Sequence, residues 1–460
     1  MKRTCKYLSL GASAVLIVMM MAATVVEKIH GTPAKLPFSI RLEEFAIDFY
    51  EGTMRPQDFR SDITFLPEGK AVRISMNNIA KYHGYRFYQA DYDEDGKGSI
   101  LAVSHDPWGV GITYAGYLLL LLSMIGFFFE KETAFRKALR RVAAMTAVAF
   151  LLFVPTGSAS AQPAPEGMGM PRKEAGTPDF MLTSKAKVQA NELYMGIARP
   201  KMQFMLCLTL GIVLFVVGAV LISRKKKFPA WALHTGAGIA LLMWLYLTLV
   251  IGLRWYISGT GPYVGRYNVM MLMAWFSTLA ILLLYRKFPL IEPLGFLLAG
   301  FTMLLASRES VSPQIMPLMP VLRSPLLSIH VVSMMMSYTL FGLVAFNGIM
   351  GLAVPSREAK ESLRDVSLVV LHPAVFLLTF GTFLGAVWAN ISWGSYWAWD
   401  PKETWALITM LVYAFTLHGG ALKPFRNPGF FHGYTIFAFV CVLVTYFGVN
   451  LLLGGMHSYM

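Results

Sequence analysis

The stretch QFMLCLTLGIVLFVVGAVLISRKKK, residues 203–227, is an uncharged apolar run that ends directly in four cations. An α-helix rises about 1.5 Å per residue, so a run of this length crosses a hydrocarbon core of about 30 Å. Lys and Arg collect in the cytoplasmic loops of membrane proteins. The stretch therefore predicts a transmembrane helix whose carboxyl end faces the cytoplasm.

Similar apolar runs recur along the whole chain. Together with 203–223 they are 9–27, 111–129, 142–161, 230–253, 267–285, 289–306, 328–353, 368–389, 405–420 and 433–453. The chain of 460 residues is 56% hydrophobic and only 14% charged, and its mean hydropathy is +0.54. We predict an all-α polytopic membrane protein of about eleven transmembrane helices, with a small β-rich external domain near the N-terminus.

Clusters of basic residues between the apolar runs fix the predicted orientation. If every run crosses the membrane, all these clusters fall on one side, and the excess of cations marks that side as cytoplasmic. The clusters lie in 1–3, 131–141, 224–227, 286–287, 357–364 and 423–426. The cations of these loops thus explain the net charge of +14. Outside the loops the sequence has no basic stripe interleaved with aromatic residues, which is the pattern that would indicate nucleic-acid binding. We expect a multi-pass protein of the cytoplasmic (inner) membrane, whose external, periplasmic side receives 28–110, 162–202, 254–266, 307–327, the segment after 389 and the C-terminus.

Region 28–110 is the only sizeable soluble part. Its alternating stretches AVRISM (71–76) and SILAVS (99–104) predict strands, and DEDGKG (93–98) predicts a hairpin turn. DYDEDG (91–96) begins like a calcium loop, but Ala102 occupies the position that needs a bidentate glutamate. A hairpin is the better interpretation.

The run at 142–161 has two possible interpretations. A basic flank, an apolar centre and a small-residue end near Ala161 make it either a span or an internal signal-like segment that is cut. The three cysteines, Cys5, Cys207 and Cys441, form no CxxC or CxxCH motif. A thiol redox pair, a cysteine zinc site and a covalent haem attachment site on this chain are therefore excluded.

Tryptophan is concentrated at one place, in WGSYWAWDPKETW, residues 393–405. Five of the ten tryptophans of the chain lie between 388 and 405: Trp388, Trp393, Trp397, Trp399 and Trp405. An interfacial aromatic belt explains one or two of them. Their density around Asp400 favours a platform for a flat, partly apolar ligand.

Histidines on the predicted external side suggest the ligand. His330 opens one span and His457 follows the last one, so both flank the tryptophan stretch. Two imidazoles make a poor closed zinc site but suit haem, which takes two axial ligands. Gly394 would let the backbone approach the macrocycle. Cations for the propionates would come from neighbouring external loops, the candidates being Arg254, Arg266 and Arg323. His418, inside a predicted span, is a separate intramembrane candidate.

The sequence WGSYWAWDPKETWALI resembles the tryptophan-rich WWD signature of haem-handling proteins. Residues 200 to 460 most resemble the System II cytochrome c synthase subunit of the CcsA/ResC kind. The segment RFYQADYDEDGKGSILAVSHDPWGVGITYAGY, residues 86–117, is similar to the end of the partner subunit of the ResB/CcsB kind. The chain thus resembles a fusion of the two.

This resemblance implies a domain scheme. Residues 1–129 would be the ResB/CcsB-like portion, 130–202 a cytoplasmic loop, the signal-like span and an external linker, and 203–460 the haem-handling membrane domain. The resemblance also implies several spans and an intramembrane histidine before the partner's external domain, whereas run 9–27 leads here directly into that domain. His30 lies at the external end of this run, so we do not expect it to take the role of that histidine.

The resemblance also implies a function. Haem b would be held by His330 and His457 against Trp393, Gly394, Trp397, Trp399, Asp400 and Trp405, with His418 as the intramembrane site. It would be joined through thioethers to CxxCH motifs of apocytochromes c. Implied partners are the apocytochromes, thiol-reducing maturation proteins and a further ResB/CcsB-like chain. The alternatives are a haem transporter, or a protein that hands haem to a chaperone, without synthase activity.

Overall fold

The computed structural model describes residues 36–50, 56–93, 95–106, 108–130, 133–143, 177–178, 181–308, 311–417 and 422–453. Six strands come first: β1 Ser39–Phe49, β2 Pro56–Leu66, β3 Lys70–Ser75, β4 Ala80–Tyr82, β5 Tyr85–Tyr92 and β6 Ser99–Ser104. The helices follow: α1 Gly109–Phe129, α2 Ala134–Ala143, α3 Lys185–Ile197, α4 Lys201–Ser223, α5 Ala230–Ser258, α6 Arg266–Leu284, α7 Ile291–Ala306, α8 Pro325–Ala353, α9 Arg357–Trp393, α10 Pro401–Leu417 and α11 Pro428–Leu443. A π-helical turn over Val444–Leu453 continues α11.

The strands form two antiparallel three-stranded sheets, in the orders β1-β2-β3 and β4-β5-β6. Ser61, Ile63 and Phe65 of β2 are buried at every second position, as expected of a strand with one face on a core, and Thr64 between them is buried as well. That core includes Phe65, which stacks on Tyr82 with 4.2 Å between ring centroids. The predicted hairpin turn is confirmed: the amide of Gly96 donates to the carbonyl of Asp93 at 2.8 Å, between β5 and β6.

Seven of the predicted membrane spans are confirmed: among the described residues, seven helices are long and apolar enough to cross a membrane. The shorter apolar helix α7 occupies the predicted run 289–306. The predicted span 405–420 corresponds to α10, which is described only to Leu417. Run 9–27 and nearly all of 142–161 lie outside the described residues. The chain is therefore a multi-span membrane protein with a small β-rich region.

Helix α9 differs most from its predicted run. It has 37 residues instead of the expected span 368–389, because the charged segment from Arg357 continues the helix and is not a loop. At about 1.5 Å per residue it is about 55 Å long, well beyond the hydrocarbon thickness.

Two further helices lie in regions that the sequence analysis assigned to loops. Thr133 caps α2 by accepting from the amide of Arg136 at 3.2 Å, and Arg141 pairs with Asp365 at 3.2 Å. Ser184 caps α3 by accepting from the amide of Lys187 at 3.3 Å. Both caps satisfy amide groups that the first helical turn leaves without partners.

Backbone contacts divide the chain into two compact units. The first combines the described parts of Met1–Phe129 with Pro317–His330 and Phe380–Glu403; the second contains Glu130–Met316, Val331–Thr379 and Thr404–Met460 as far as they are described. In the second unit α4 and α7 pack closely through glycine. A Cβ on Gly211 would lie 2.6 Å from the backbone nitrogen of Leu297, and one on Gly300 would lie 2.7 Å from that of Leu208. Small residues at such crossings let membrane helices approach.

Candidate functional site

The tryptophan loop, residues 394–400 between α9 and α10, starts at a glycine that the geometry requires. Gly394 has φ +81°, a left-handed conformation that suits glycine after a helix end. Its amide donates to the carbonyl of Asn390 at 3.1 Å, and the Asn390 side-chain amide donates back to the Gly394 carbonyl at 3.2 Å. A Cβ here would lie 2.8 Å from the ring of Tyr88. Gly394 thus closes α9 and admits a tyrosine of β5.

The charged run at the other end of the loop is a helix cap. Asp400, only 5% exposed, accepts from the amide of Lys402 at 2.9 Å. Glu403 accepts from the amides of Ala398 at 2.8 Å and Asp400 at 3.2 Å. This is a capping box, and Pro401 at the first helical position completes it. These contacts favour a role for Asp400 in orienting the tryptophan loop.

The indoles form two edge-to-face pairs and not one continuous flat sheet. The ring centroids of Trp388 and Trp393 are 4.8 Å apart with an interplanar angle of 66°. Those of Trp397 and Trp399 are 6.0 Å apart with an interplanar angle of 88°. Trp388 and Trp397 are buried, whereas Trp399 is 44% exposed. Trp399 also has φ +56°, an uncommon conformation for a bulky residue and one that is retained where surrounding structure enforces it. The loop therefore presents one indole on a buried aromatic base.

The two buried indoles also carry polar groups without partners. The Nε1 atoms of Trp388 and Trp397 are buried and have no hydrogen-bond acceptor. Buried donors of this kind are rare and costly, about 1–3 kcal/mol each. They mark the base of the loop as a place where an acceptor brought by a ligand would be stabilised.

His330 is held in a defined tautomer beside the loop's helix. Its Nδ1 donates to the carbonyl of Gly381 at 2.6 Å, which leaves Nε2 as the basic nitrogen. Gly385 makes room for the ring, because a Cβ there would lie 2.7 Å from both Cε1 and Nδ1. A backbone carbonyl that fixes the second nitrogen is the usual support of a metal-ligating histidine.

The other predicted site residues are distributed as follows. His418 and His457 lie outside the described residues. Trp405 belongs to the second unit, where its carbonyl accepts from Thr409 at 2.7 Å. Their assignments stay predictions.

Of the three candidate arginines, only Arg323 shares the first unit with the loop, and its guanidinium lies 5.2 Å from the centre of the Tyr50 ring. Arg254 and Arg266 belong to the second unit. Arg254 is buried and donates to Tyr194 and to the carbonyls of Pro313 and Gln314. This set of partners favours a structural role for Arg254 over propionate binding.

The β-rich region also contacts the carboxyl end of α9, directly before the tryptophan loop, and sequence reasoning missed these contacts. Arg86 donates to Asn390 at 3.3 Å, and the side chains of Asn77 and Ser392 are 2.9 Å apart. Their only sequence signal was that Arg86 opens the stretch 86–117, which resembles the end of a partner subunit.

Among the described residues, no group of three or more His, Cys, Asp or Glu side chains could hold a metal ion. The porphyrin of haem supplies four ligands to its iron and requires from the protein only one or two axial ligands, which an oriented histidine such as His330 suits.

Fold and site together define a multi-span membrane protein that couples a β-rich region to a tryptophan-rich loop beside an oriented histidine. Comparison with known families agrees. The Cytochrome C assembly protein family matches residues 263–457, and the ResB-like family matches residues 14–203.

Individual relatives support the family assignment. Cytochrome c biogenesis protein CcsA of Guillardia theta is 32% identical over 290 residues, which cover 55% of this chain and 93% of that protein. CcsA of Synechococcus sp. (strain CC9902) is 32% identical over 302 residues, or 56% and 97% of the two chains. Protein NrfI of Wolinella succinogenes is 38% identical over 245 residues, 50% of this chain but only 27% of NrfI. The chain belongs to the CcsA family of cytochrome c biogenesis proteins and carries a ResB-like portion.

Proposed function

We propose that this protein holds haem b at the tryptophan loop and promotes its covalent attachment to CxxCH motifs of apocytochromes c. The observation that carries the proposal is the His330 tautomer: Nδ1 donates to the Gly381 carbonyl, so Nε2 is the basic nitrogen that would bind the haem iron. His457 would be the second axial ligand, and His418 would bind haem within the membrane.

In the proposed reaction each cysteine thiol adds across one vinyl group. A sulfur–carbon bond forms at the carbon next to the ring, the proton goes to the terminal carbon, and the double bond becomes single. No electron is gained or lost overall, and the nucleophile belongs to the substrate. The protein contributes position: it orients the vinyl edge and excludes water, which converts a bimolecular encounter into a nearly unimolecular step.

The proposal also sets the cellular arrangement. The loop, the β-rich region and the C-terminus would face the periplasmic side of the inner membrane, where apocytochromes arrive. Thiol-reducing proteins would keep the CxxCH cysteines reduced. A further ResB/CcsB-like chain would act together with this one.

The test is expression with an apocytochrome in cells that lack their own maturation system. We expect covalent haem with the wild-type chain and none with His330→Ala. The matched control is His234→Ala, because His234 is exposed and lies in the second unit. There its ring is edge-to-face with that of Tyr285, with 6.1 Å between ring centroids. Haem bound to the purified protein without any thioether product would instead favour a transporter or a haem-delivery protein.

A further inference from the structure

Four tyrosines gather against the tryptophan loop. Tyr88 comes from β5, Tyr114 and Tyr117 from the start of α1, and Tyr396 from the loop itself. Tyr396 lies 6.1 Å from Tyr114 and 6.3 Å from Tyr117, between ring centroids and in edge-to-face geometry. Tyr117 also stacks on Phe383 at 4.6 Å. Most of this cluster therefore belongs to the ResB-like portion, within the same compact unit as the loop.

Two hydroxyls of the cluster are buried and incompletely hydrogen-bonded. Tyr88 is 1% exposed, and the hydroxyl oxygens of Tyr88 and Tyr396 make no hydrogen bond of ordinary geometry. Arg86 lies close enough to the Tyr88 hydroxyl, and Tyr114 close enough to that of Tyr396, to interact weakly with them. Burial raises the pKa of both hydroxyls above the usual value for tyrosine. Both are thus neutral donors at physiological pH, and both gain most from an acceptor that carries negative charge.

A cation stands beside these hydroxyls. Arg86 is half-buried, and its Nη1 donates to Asn390 at 3.3 Å. Its charge partly offsets the effect of burial on the pKa of Tyr88 and of Tyr396, so it lies within electrostatic reach of both hydroxyls. Arginine matches carboxylates with a planar fork of donors.

We propose that Arg86, Tyr88 and Tyr396 form a carboxylate-binding subsite that receives a propionate of the haem held at the tryptophan loop. Two neutral hydroxyls and one guanidinium offer a carboxylate the donors that its oxygens need, in surroundings with little water. Tyr114 and Tyr117 hold the Tyr396 ring in place. The inference rests on the proposed function, because the loop must bind haem for a propionate to arrive.

The test compares two ligands on the purified full chain in detergent. Haem has free propionates, whereas haem dimethyl ester has the same macrocycle without their charge. We expect the wild-type protein to prefer haem by at least about tenfold, since one charge-assisted hydrogen bond contributes about a factor of ten. The double variant Tyr88→Phe with Tyr396→Phe should lose most of that preference and keep its affinity for the ester.

The matched control is Tyr85→Phe, on the same strand as Tyr88, whose ring stacks on His105 with 4.1 Å between ring centroids. It should behave like the wild type. Phenylalanine preserves ring packing, so membrane yield and thermal unfolding of all variants should match.

Two results would overturn the subsite: equal affinity of the wild type for both ligands, or an unchanged preference in the double variant. In either case binding of both ligands lost on His330→Ala would leave the proposed function intact. A wild-type protein that binds neither ligand would refute the proposed function as well.

Discussion

Replacement of Gly385 by alanine should detach His330 from its support without unfolding the protein. The added Cβ would lie 2.7 Å from Cε1 and Nδ1, whereas ordinary contacts are 3.4–4 Å, so the imidazole must move by about 0.7 Å or rotate. The bond from Nδ1 to the Gly381 carbonyl is 2.6 Å. A movement of this size away from the carbonyl lengthens the bond to about 3.3 Å, beyond the usual 3.2 Å limit.

The expected magnitudes separate binding from stability. Loss of a histidine's outer support lowers metal affinity by about 10–100-fold. Stability should change by no more than about 2 kcal/mol, because overpacking costs about 1–3 kcal/mol and alanine favours a helix over glycine by about 1 kcal/mol.

The assay is haem titration of the purified variant, followed by visible absorption, with thermal unfolding alongside. Gly252→Ala is the control, since Gly252 is also helical and a Cβ there meets nothing within 4 Å. If Gly385→Ala bound haem with wild-type affinity and an unchanged spectrum, the role given to the carbonyl support would be refuted.

Three further predictions concern the loop and its surroundings. Gly394→Ala should lower the free energy of unfolding by about 1–3 kcal/mol, through backbone strain and overpacking against Tyr88. The control Gly265→Ala, with φ +89° but open space around a Cβ, should show the strain alone. Equal shifts in melting temperature for the two variants would contradict the contact between position 394 and Tyr88. Asp400→Ala should cost about 1 kcal/mol by thermal unfolding, the usual value of a helix cap, whereas Asp400→Asn should keep most of it; identical losses would argue against capping. Arg254→Met should cost about 3 kcal/mol because it leaves buried polar partners unbonded, while haem affinity stays at the wild-type value; selective loss of haem would restore Arg254 as a propionate ligand.

Local patterns were sufficient for most of the membrane fold. An apolar run long enough to cross the bilayer can be read without knowledge of its neighbours, and so can the turn at Gly96. The spacing of Asp400 and Glu403 also predicts their capping box, although the tryptophans around them favoured a ligand platform as the interpretation. The caps Thr133 and Ser184 were similar local signals of helices α2 and α3.

Other features depend on residues that are distant in the sequence. The bond between Arg86 and Asn390 joins positions 304 residues apart, and no local pattern specifies such a pair. The left-handed backbone angles at Gly394 and Trp399 and the edge-to-face geometry of Trp397 on Trp399 are likewise not specified by composition.

The first compact unit draws on three separate segments of the chain, and one of them is ResB-like. Two independent polypeptides would have to meet in the membrane to assemble such a unit. A covalent fusion replaces that encounter by an intramolecular one, with an effective concentration in the millimolar range for short flexible linkers. It also fixes the stoichiometry at one to one, so synthesis of one portion can never outpace synthesis of the other.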